Sequence, residues 1–225
     1  TEKQLDGAII GAPNHFHLEN LRDFAGHRIP ILIEKPLDST FAKICDVVRF
    51  AEQYPAPIMV GHCMRYAPIL NKAQELIAQG AVGRICSTRF VQNCHYGNCM
   101  FHNWRRKKEY SGTMFIEKAT HDLDVMCALV KARPRKVFAI AKLQVYGGDK
   151  PNHLHCAICP EKVTCPESEP NILRRWGSEN IIEEVEGREK FLCCYAKEVD
   201  TPDNEMCAIQ FDSGIFGTYT ENFFS

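Results

Sequence analysis

Long apolar runs, a leader segment and an excess of either charge are all missing from this sequence of 225 residues. Apolar stretches such as Ile29–Ile33 fall far short of the roughly 20 residues that a membrane-spanning helix needs. Its 27 Lys and Arg nearly cancel its 28 Asp and Glu, so no whole-chain field draws in nucleic acid or anionic lipid. From Thr1 onward no basic region leads into an apolar stretch and a small-residue cleavage site, so no targeting segment is visible. Neither a membrane nor a nucleic-acid partner is expected. Internal repeats and low-complexity segments are absent too. With 45% hydrophobic and 24% charged residues, the composition is that of a globular chain able to build one large or two small cores. Cysteine, by contrast, is plentiful. The twelve are spread from Cys45 to Cys207 through apolar segments, unlike the compact frameworks of small secreted domains, and a reducing compartment, the cytoplasm, is expected.

The first sixty residues alternate two periods. Leu5–Gly11 reads as a buried parallel strand, and His17–Ala25 has helical spacing with Leu18, Leu21, Phe24 and Ala25 on one side. Ile29–Ile33 is a second buried run. A helix with Ser39 or Thr40 as N-cap follows, with Phe41, Ile44, Val47, Val48 and Ala51 as its apolar stripe, and Pro57–Gly61 gives a third strand. This β-α-β-α-β order predicts a parallel sheet with helical crossovers. Beyond it, the pattern predicts a helix over 67–79 closed by Gly80, a strand over 85–93 and a helix over 113–129. Three later alternating runs, over 136–146, 205–211 and 215–219, read as strands, the last two as a hairpin. The expected fold class is α/β: a partial Rossmann-like parallel sheet over residues 1–63, then an α+β domain with a largely antiparallel open sheet over 64–225, interrupted by an irregular insertion over about 148–190.

In an open parallel sheet, ligands bind beyond the carboxyl ends of the strands. Three polar clusters fall there: Pro13–His17, Glu34-Lys35-Pro36 and His62–Tyr66. A lysine directly after a buried strand has its stem held while its ammonium emerges at the crevice, where burial or a neighbouring cation would bring it towards a useful proton donor or acceptor. A solvated Glu34–Lys35 pair is the bland alternative. A second cluster runs from Glu117 through His121 to Asp124. On one continuous helix Glu117 and His121 would be neighbours on a face, and a carboxylate beside an imidazole can fix its tautomer. A plain surface pair is the alternative there.

Taken in order, Pro13-Asn14 with His17, Glu34-Lys35-Pro36, Gly61-His62 to Arg65-Tyr66, Ala81–Ile85, Trp104-Arg105, and Gly112 leading to Glu117, His121 and Asp124 closely resemble the glucose-fructose oxidoreductase, inositol dehydrogenase and MocA family (Gfo/Idh/MocA). The matches cover about residues 5–130. The resemblance implies a two-domain oxidoreductase that uses NAD or NADP, with a second domain that carries the substrate pocket and forms a homo-oligomer through its sheet. It gives Lys35 and His121 catalytic roles, with Glu117 standing where the family usually has aspartate. It places Pro13, Asn14, His17, Glu34, Lys35 and Arg65 along the cofactor, and Trp104 and Arg105 near the nicotinamide and substrate. A sugar, cyclitol or other polyol is the implied small-molecule substrate. An NAD-assisted glycosidase of the same fold, and a non-catalytic binding protein or inactive fragment, are the alternatives.

No G-x-G-x-x-G turn occurs in the sequence, and Leu5–Gly11 resembles a strand well inside the family's Rossmann domain. The expectation is a chain truncated at both ends that binds NAD(P) weakly by itself. One further motif stands apart. Cys156-x2-Cys159-x5-Cys165, with His153 and His155 upstream, resembles a metal knuckle, but a matching C-x2-C pair is missing. Reduced thiols or a local disulfide are expected there and no metal, with Cys193-Cys194 serving in packing.

Overall fold

The computed structural model describes residues 5–94, 98–176 and 191–224. Three short strands, β1 (Ala8–Ile10), β2 (Ile31–Ile33) and β3 (Ile58–Val60), alternate with α1 (His17–Asp23) and α2 (Phe41–Gln53). They pair in parallel in the order β1-β2-β3, with Ile10 opposite Ile33 and Ile33 opposite Val60. Thr40, not Ser39, caps α2, its hydroxyl accepting the Lys43 N–H at 3.3 Å. The core beneath these helices joins Ile10, Ile31 and Ile33 of the sheet to Leu18, Leu21, Val47 and Tyr54.

That core covers one face of the sheet. Side chains alternate across a strand, so Ile9 and Met59 stand on the opposite side and remain 76% and 49% exposed. The expectation of strands buried on both faces is corrected to this extent. The expected stripe of α2 also narrows: Val47 is buried, whereas Phe41 and Val48 are exposed.

Next come α3 (Pro68–Ala78), β4 (Ser87–Asn93), and two one-turn helices, α4 (Asn98–Phe101) and α5 (Lys108–Ser111). Pro68 opens α3 in the first turn, where its missing N–H costs nothing, and Gly80 follows the helix with φ +80°. The segment read as one helix over 113–129 is two: α6 (Met114–Glu117) and α7 (Ala119–Val130), separated at Lys118. Then follow β5 (Pro134–Lys142), α8 (Glu169–Trp176), β6 (Asn204–Phe211) and β7 (Phe216–Asn222). Strands β4 to β7 form a mixed sheet in the order β4-β7-β6-β5. The β6–β7 hairpin turns through Gly214 at φ +83°, a left-handed conformation that glycine takes without a steric cost. Alternation of exposed and buried residues along β6 and β7 is regular, whereas every residue of β5 is exposed.

By contacts the chain divides into two compact units. One comprises residues 1–90, 109–138 and 208–219, the other residues 91–108, 139–207 and 220–225. In the second, the Asp203 carboxylate, fully buried, accepts the backbone N–H groups of Gln144, Val145 and Tyr146 at 2.7–2.8 Å. Of the insertion read over 148–190, residues 177–190 lie outside the described residues. Among the described residues no helix is long and apolar enough to cross a membrane.

Candidate active site

The polar clusters after β1 and β2 converge with α6 inside the first unit. Asn14 opens a short 3-10 turn after β1 and is only 4% exposed. Its side-chain amide donates to the Glu117 carboxylate at 2.6 Å and to the Ser111 carbonyl at 3.1 Å. Lys35, two residues beyond β2, donates from Nζ to the Glu117 backbone carbonyl at 2.9 Å, with the Glu117 carboxylate 3.8 Å away. Glu117 is therefore held from two sides, by a neutral amide and by an ammonium. A carboxylate this deeply buried needs both kinds of partner.

Local backbone geometry sets this meeting point. Lys35–Pro36 is a cis peptide. His17 is fully buried, and its two ring nitrogens lie 2.7 Å from the Ala12 carbonyl and 2.8 Å from the Pro36 carbonyl, tying the β1 loop to the Lys35 loop. With both nitrogens so engaged, His17 holds the two loops together. Asp38, fully buried, accepts the backbone N–H groups of Ser39 at 2.6 Å and Leu18 at 3.3 Å. Across from it, Gly112 has φ +84°, and a Cβ there would stand 2.3 Å from the Ser39 carbonyl oxygen. Only glycine permits that approach, which delivers α6 to Asn14 and Lys35.

His121 lies on α7, beyond the break at Lys118, so it does not share a continuous helical face with Glu117. Its Nδ1 is shielded from solvent and has no hydrogen-bond partner. Burial, reinforced by the positive charges of Lys35 and Lys118, pushes its pKa down to about 4. The ring is thus neutral at physiological pH and able to accept a proton. One turn on, Asp124 receives a bidentate pair from Arg65, Nε to Oδ2 at 2.7 Å and Nη2 to Oδ1 at 2.6 Å, with His62 Nδ1 at 3.8 Å. Arg65, placed along the cofactor by the resemblance, is half exposed and oriented by this pair.

A cleft of about 380 Å³ opens beside Lys35, with Lys35, His62, Thr120 and Asp124 in its polar lining and apolar walls from Ile44, Phe115 and Leu123. This size and this mixture of a few polar groups in an apolar cup suit a small-molecule ligand. Pro13 is half-buried at the end of β1. Glu34 is exposed, and its carboxylate rests against Gly61, where a Cβ would meet Oε1 at 3.0 Å. Trp104 and Arg105 belong to the second unit, where the Arg105 guanidinium stacks 4.6 Å over the Trp104 ring.

A family model described as "GFO/IDH/MocA C-terminal domain" matches residues 70–225, and one described as "Oxidoreductase family, NAD-binding Rossmann fold" matches residues 1–62. The chain belongs to the Gfo/Idh/MocA family. A Bacillus subtilis relative named as an oxidoreductase, YteT, is 24% identical over 96% of this chain and 54% of its own length. The 2,7-anhydro-N-acetylneuraminate hydratase of Escherichia coli is 26% identical over 66% of this chain and 40% of its own length. Among solved structures, levoglucosan dehydrogenase in complex with NADH and levoglucosan superposes with a TM-score of 0.68 at 22% identity, over 98% of this chain and 48% of that one. The myo-inositol 2-dehydrogenase of Lactobacillus plantarum does so with a TM-score of 0.65 at 14% identity, over 98% and 52%. Both likenesses are of fold. The chain spans about half the length of these relatives.

Two features of the family site in this chain escape a reading by motif. The grip of Asn14 on Glu117 joins residues 103 apart in sequence. The close pass of Gly112 over Ser39 is signalled only by the glycine itself.

Proposed function

We propose that this chain supplies the hydride-transfer end of a nicotinamide-dependent dehydrogenase, with NAD or NADP as cofactor and a sugar, cyclitol or related polyol as substrate. The observation that carries the reading is the Asn14–Glu117–Lys35 chain, whose Lys35 lines the cleft, with a neutral His121 close enough to feel the Lys35 charge. Family membership and the NADH-bound, sugar-binding structural neighbour support it.

The residues fit a dinucleotide's nicotinamide end. Pro13, Asn14, Glu34 and Lys35 follow the carboxyl ends of β1 and β2, and Arg65 follows β3, the side on which open parallel sheets bind such ligands. A Cβ on Gly11 would meet nothing within 4 Å, so the chain leaves open space at the end of β1. Trp104 and Arg105 enter this reading through the family resemblance alone.

A bound nicotinamide would supply the hydride-acceptor chemistry for the carbinol carbon, with Pro13, Asn14, Glu34, Lys35 and Arg65 on the side where it would be held. Lys35 donates a hydrogen bond to the reacting hydroxyl and stabilises the oxygen as its charge grows. His121, neutral in this setting, is the base that accepts the hydroxyl proton as the carbonyl forms. Glu117 fixes the Lys35 ammonium, and Asn14 fixes Glu117. In a polypeptide that joins this chain to a dinucleotide-binding turn, Lys35→Met should lower turnover about 10²- to 10⁴-fold and leave cofactor affinity within a few-fold. Near-normal turnover would overturn the assignment.

A second reading, redox-neutral chemistry in which transient oxidation labilises a ring proton, is favoured by one observation, the relative named a hydratase. Product analysis separates the two: net NADH supports dehydrogenation, and converted substrate without net NADH supports the second. The mixed sheet is inferred to carry self-association, because Phe138 and Phe216 are 65% and 59% exposed around a shallow groove.

A further inference from the structure

The second unit holds a small cavity of about 20 Å³, room for one water-sized body, whose wall carries Cys156, Cys159, Cys165, Cys193 and Cys194. None of the five is in a disulfide. Their backbones are fixed by short-range structure. A 3-10 turn links Cys156 to Cys159, the Cys165 N–H closes a turn on the Glu161 carbonyl at 2.8 Å, and residues 154–156 pair with 191–193 through Cys156 N–H to Phe191 O at 2.9 Å and Cys193 N–H to Leu154 O at 2.8 Å. This pairing carries Cys193, read from sequence as packing, to the Cys156 loop.

We propose that Cys156, Cys159, Cys165 and Cys193 form a four-thiolate site for one structural zinc-class ion, centred on this cavity. Three independent features point to an ion. First, these four sulfurs form a mutually interacting set, in which every pair is electrostatically coupled. Second, three of the sulfurs receive a backbone N–H: Cys156 from Glu169, Cys165 from Glu167 and Cys193 from Tyr195. An N–H two residues after the cysteine, as at Cys165 and Cys193, is aimed at the sulfur by the turn itself. Such donors favour thiolate over thiol, and hydrogen bonds to ligating sulfurs tune metal–thiolate centres. Third, the wall includes His102, a residue only 1% exposed whose Nε2 is buried without a hydrogen-bond partner.

Charge balance agrees with a divalent cation. Among the described residues the cations nearby are Lys162 on the wall, Arg106, which is buried and paired with Glu198, and Lys150, which is paired with Glu161. Two of these three are already spent on carboxylates, so four thiolates need a further positive centre. Among the described residues no three His, Cys, Asp or Glu side chains stand close enough together to hold a metal ion without moving. Binding therefore draws the sulfurs inward to about 2.3 Å from the ion, or about 3.8 Å from one another, with release of the thiol protons. The imidazole that the sequence offers from His153 or His155 is replaced in this set by Cys193.

The test is elemental analysis of untagged protein purified under reducing conditions, followed by exchange of the bound ion for Co²⁺. About one zinc per chain is expected, with thiolate-to-cobalt charge-transfer absorption and the intense visible bands of a tetrahedral four-sulfur site. Cys159→Ser and Cys193→Ser should each lower metal content several-fold, while Cys194→Ser and the surface control Cys63→Ser should keep it. Substoichiometric metal in the wild-type protein together with failure to take up Co²⁺ would overturn the site, as would a disulfide within the cluster under the same reducing conditions. Retention of metal by Cys193→Ser would overturn the four-thiolate set. The wild-type measurements need no variant to fold.

Discussion

The Asn14 side chain donates to the Glu117 carboxylate at 2.6 Å, joining the loop after the first strand to a one-turn helix 103 residues later. Both residues are buried, so removing the amide leaves a carboxylate short of a partner. Asn14→Ala is expected to destabilise the protein by about 1–3 kcal/mol. Asn14→Asp sets a second negative charge against Glu117 and should cost more. Chemical denaturation of the two variants checks the order: an aspartate variant as stable as wild type would mean that Glu117 is not held as an anion.

Two glycines of positive φ provide a matched pair. At Gly112 an added Cβ would lie 2.3 Å from the Ser39 carbonyl oxygen, whereas at Gly80 it would meet nothing within 4 Å. Gly80→Ala should cost only the backbone penalty of about 1 kcal/mol. Gly112→Ala must also push α6 away from Ser39, and with it Glu117 from Asn14 and Lys35. Thermal melts should show a clearly larger loss for Gly112→Ala, and turnover in the complete enzyme should fall with it. Equal losses in both variants would show that the close approach contributes nothing.

Much of this architecture is legible in the sequence because its signals are local. Ile-rich runs ending in Gly-Ala-Pro and Glu-Lys-Pro mark where the parallel strands stop, and Gly80 and Gly214 mark a helix end and a hairpin. Family motifs select Lys35, Glu117 and His121. What periodicity could not reveal depends on distant partners. The break at Lys118 leaves the apolar spacing of 113–129 intact, so the segment reads as one helix. The bare faces of Ile9 and Met59 follow from which elements cover the sheet, and nothing within those strands records it. The hold of the His17 ring on the carbonyls of Ala12 and Pro36 is likewise set by partners outside its own helix. Cys193 joins Cys156 only through the pairing of 154–156 with 191–193.

The exposed apolar side chains of the mixed sheet make a prediction about assembly. Phe138 and Phe216 are 65% and 59% exposed on neighbouring parts of one groove, with Lys136 at its edge. Contiguous aromatic surface of this kind is rarely left to water. Phe138→Asp should convert a self-associated species to monomer in light-scattering measurements, with the far-ultraviolet circular dichroism unchanged. A wild-type protein that is monomeric at high micromolar concentration would remove the basis for the inference.

His121 sets the acid limit of both stability and rate. Its pKa falls from 6.5 to about 4 on folding, chiefly through burial. Between those values the unfolded chain binds a proton that the folded protein does not, so stability rises with pH across this window and is lost as pH falls towards 4. Discounted for the solvent that reaches the ring, the loss between pH 7 and pH 4.5 is about 1 kcal/mol. His121→Gln should flatten that part of the pH–stability profile, because glutamine does not titrate. In the complete enzyme, the same depressed pKa keeps the ring ready to accept a proton down to about pH 4, so the acid limb of kcat/KM should fall well below pH 6 and disappear in His121→Gln, along with most of the turnover. An acid limb near pH 6.5 in the wild-type enzyme would mean that the imidazole is hydrated in the free site and that the burial of Nδ1 does not persist there.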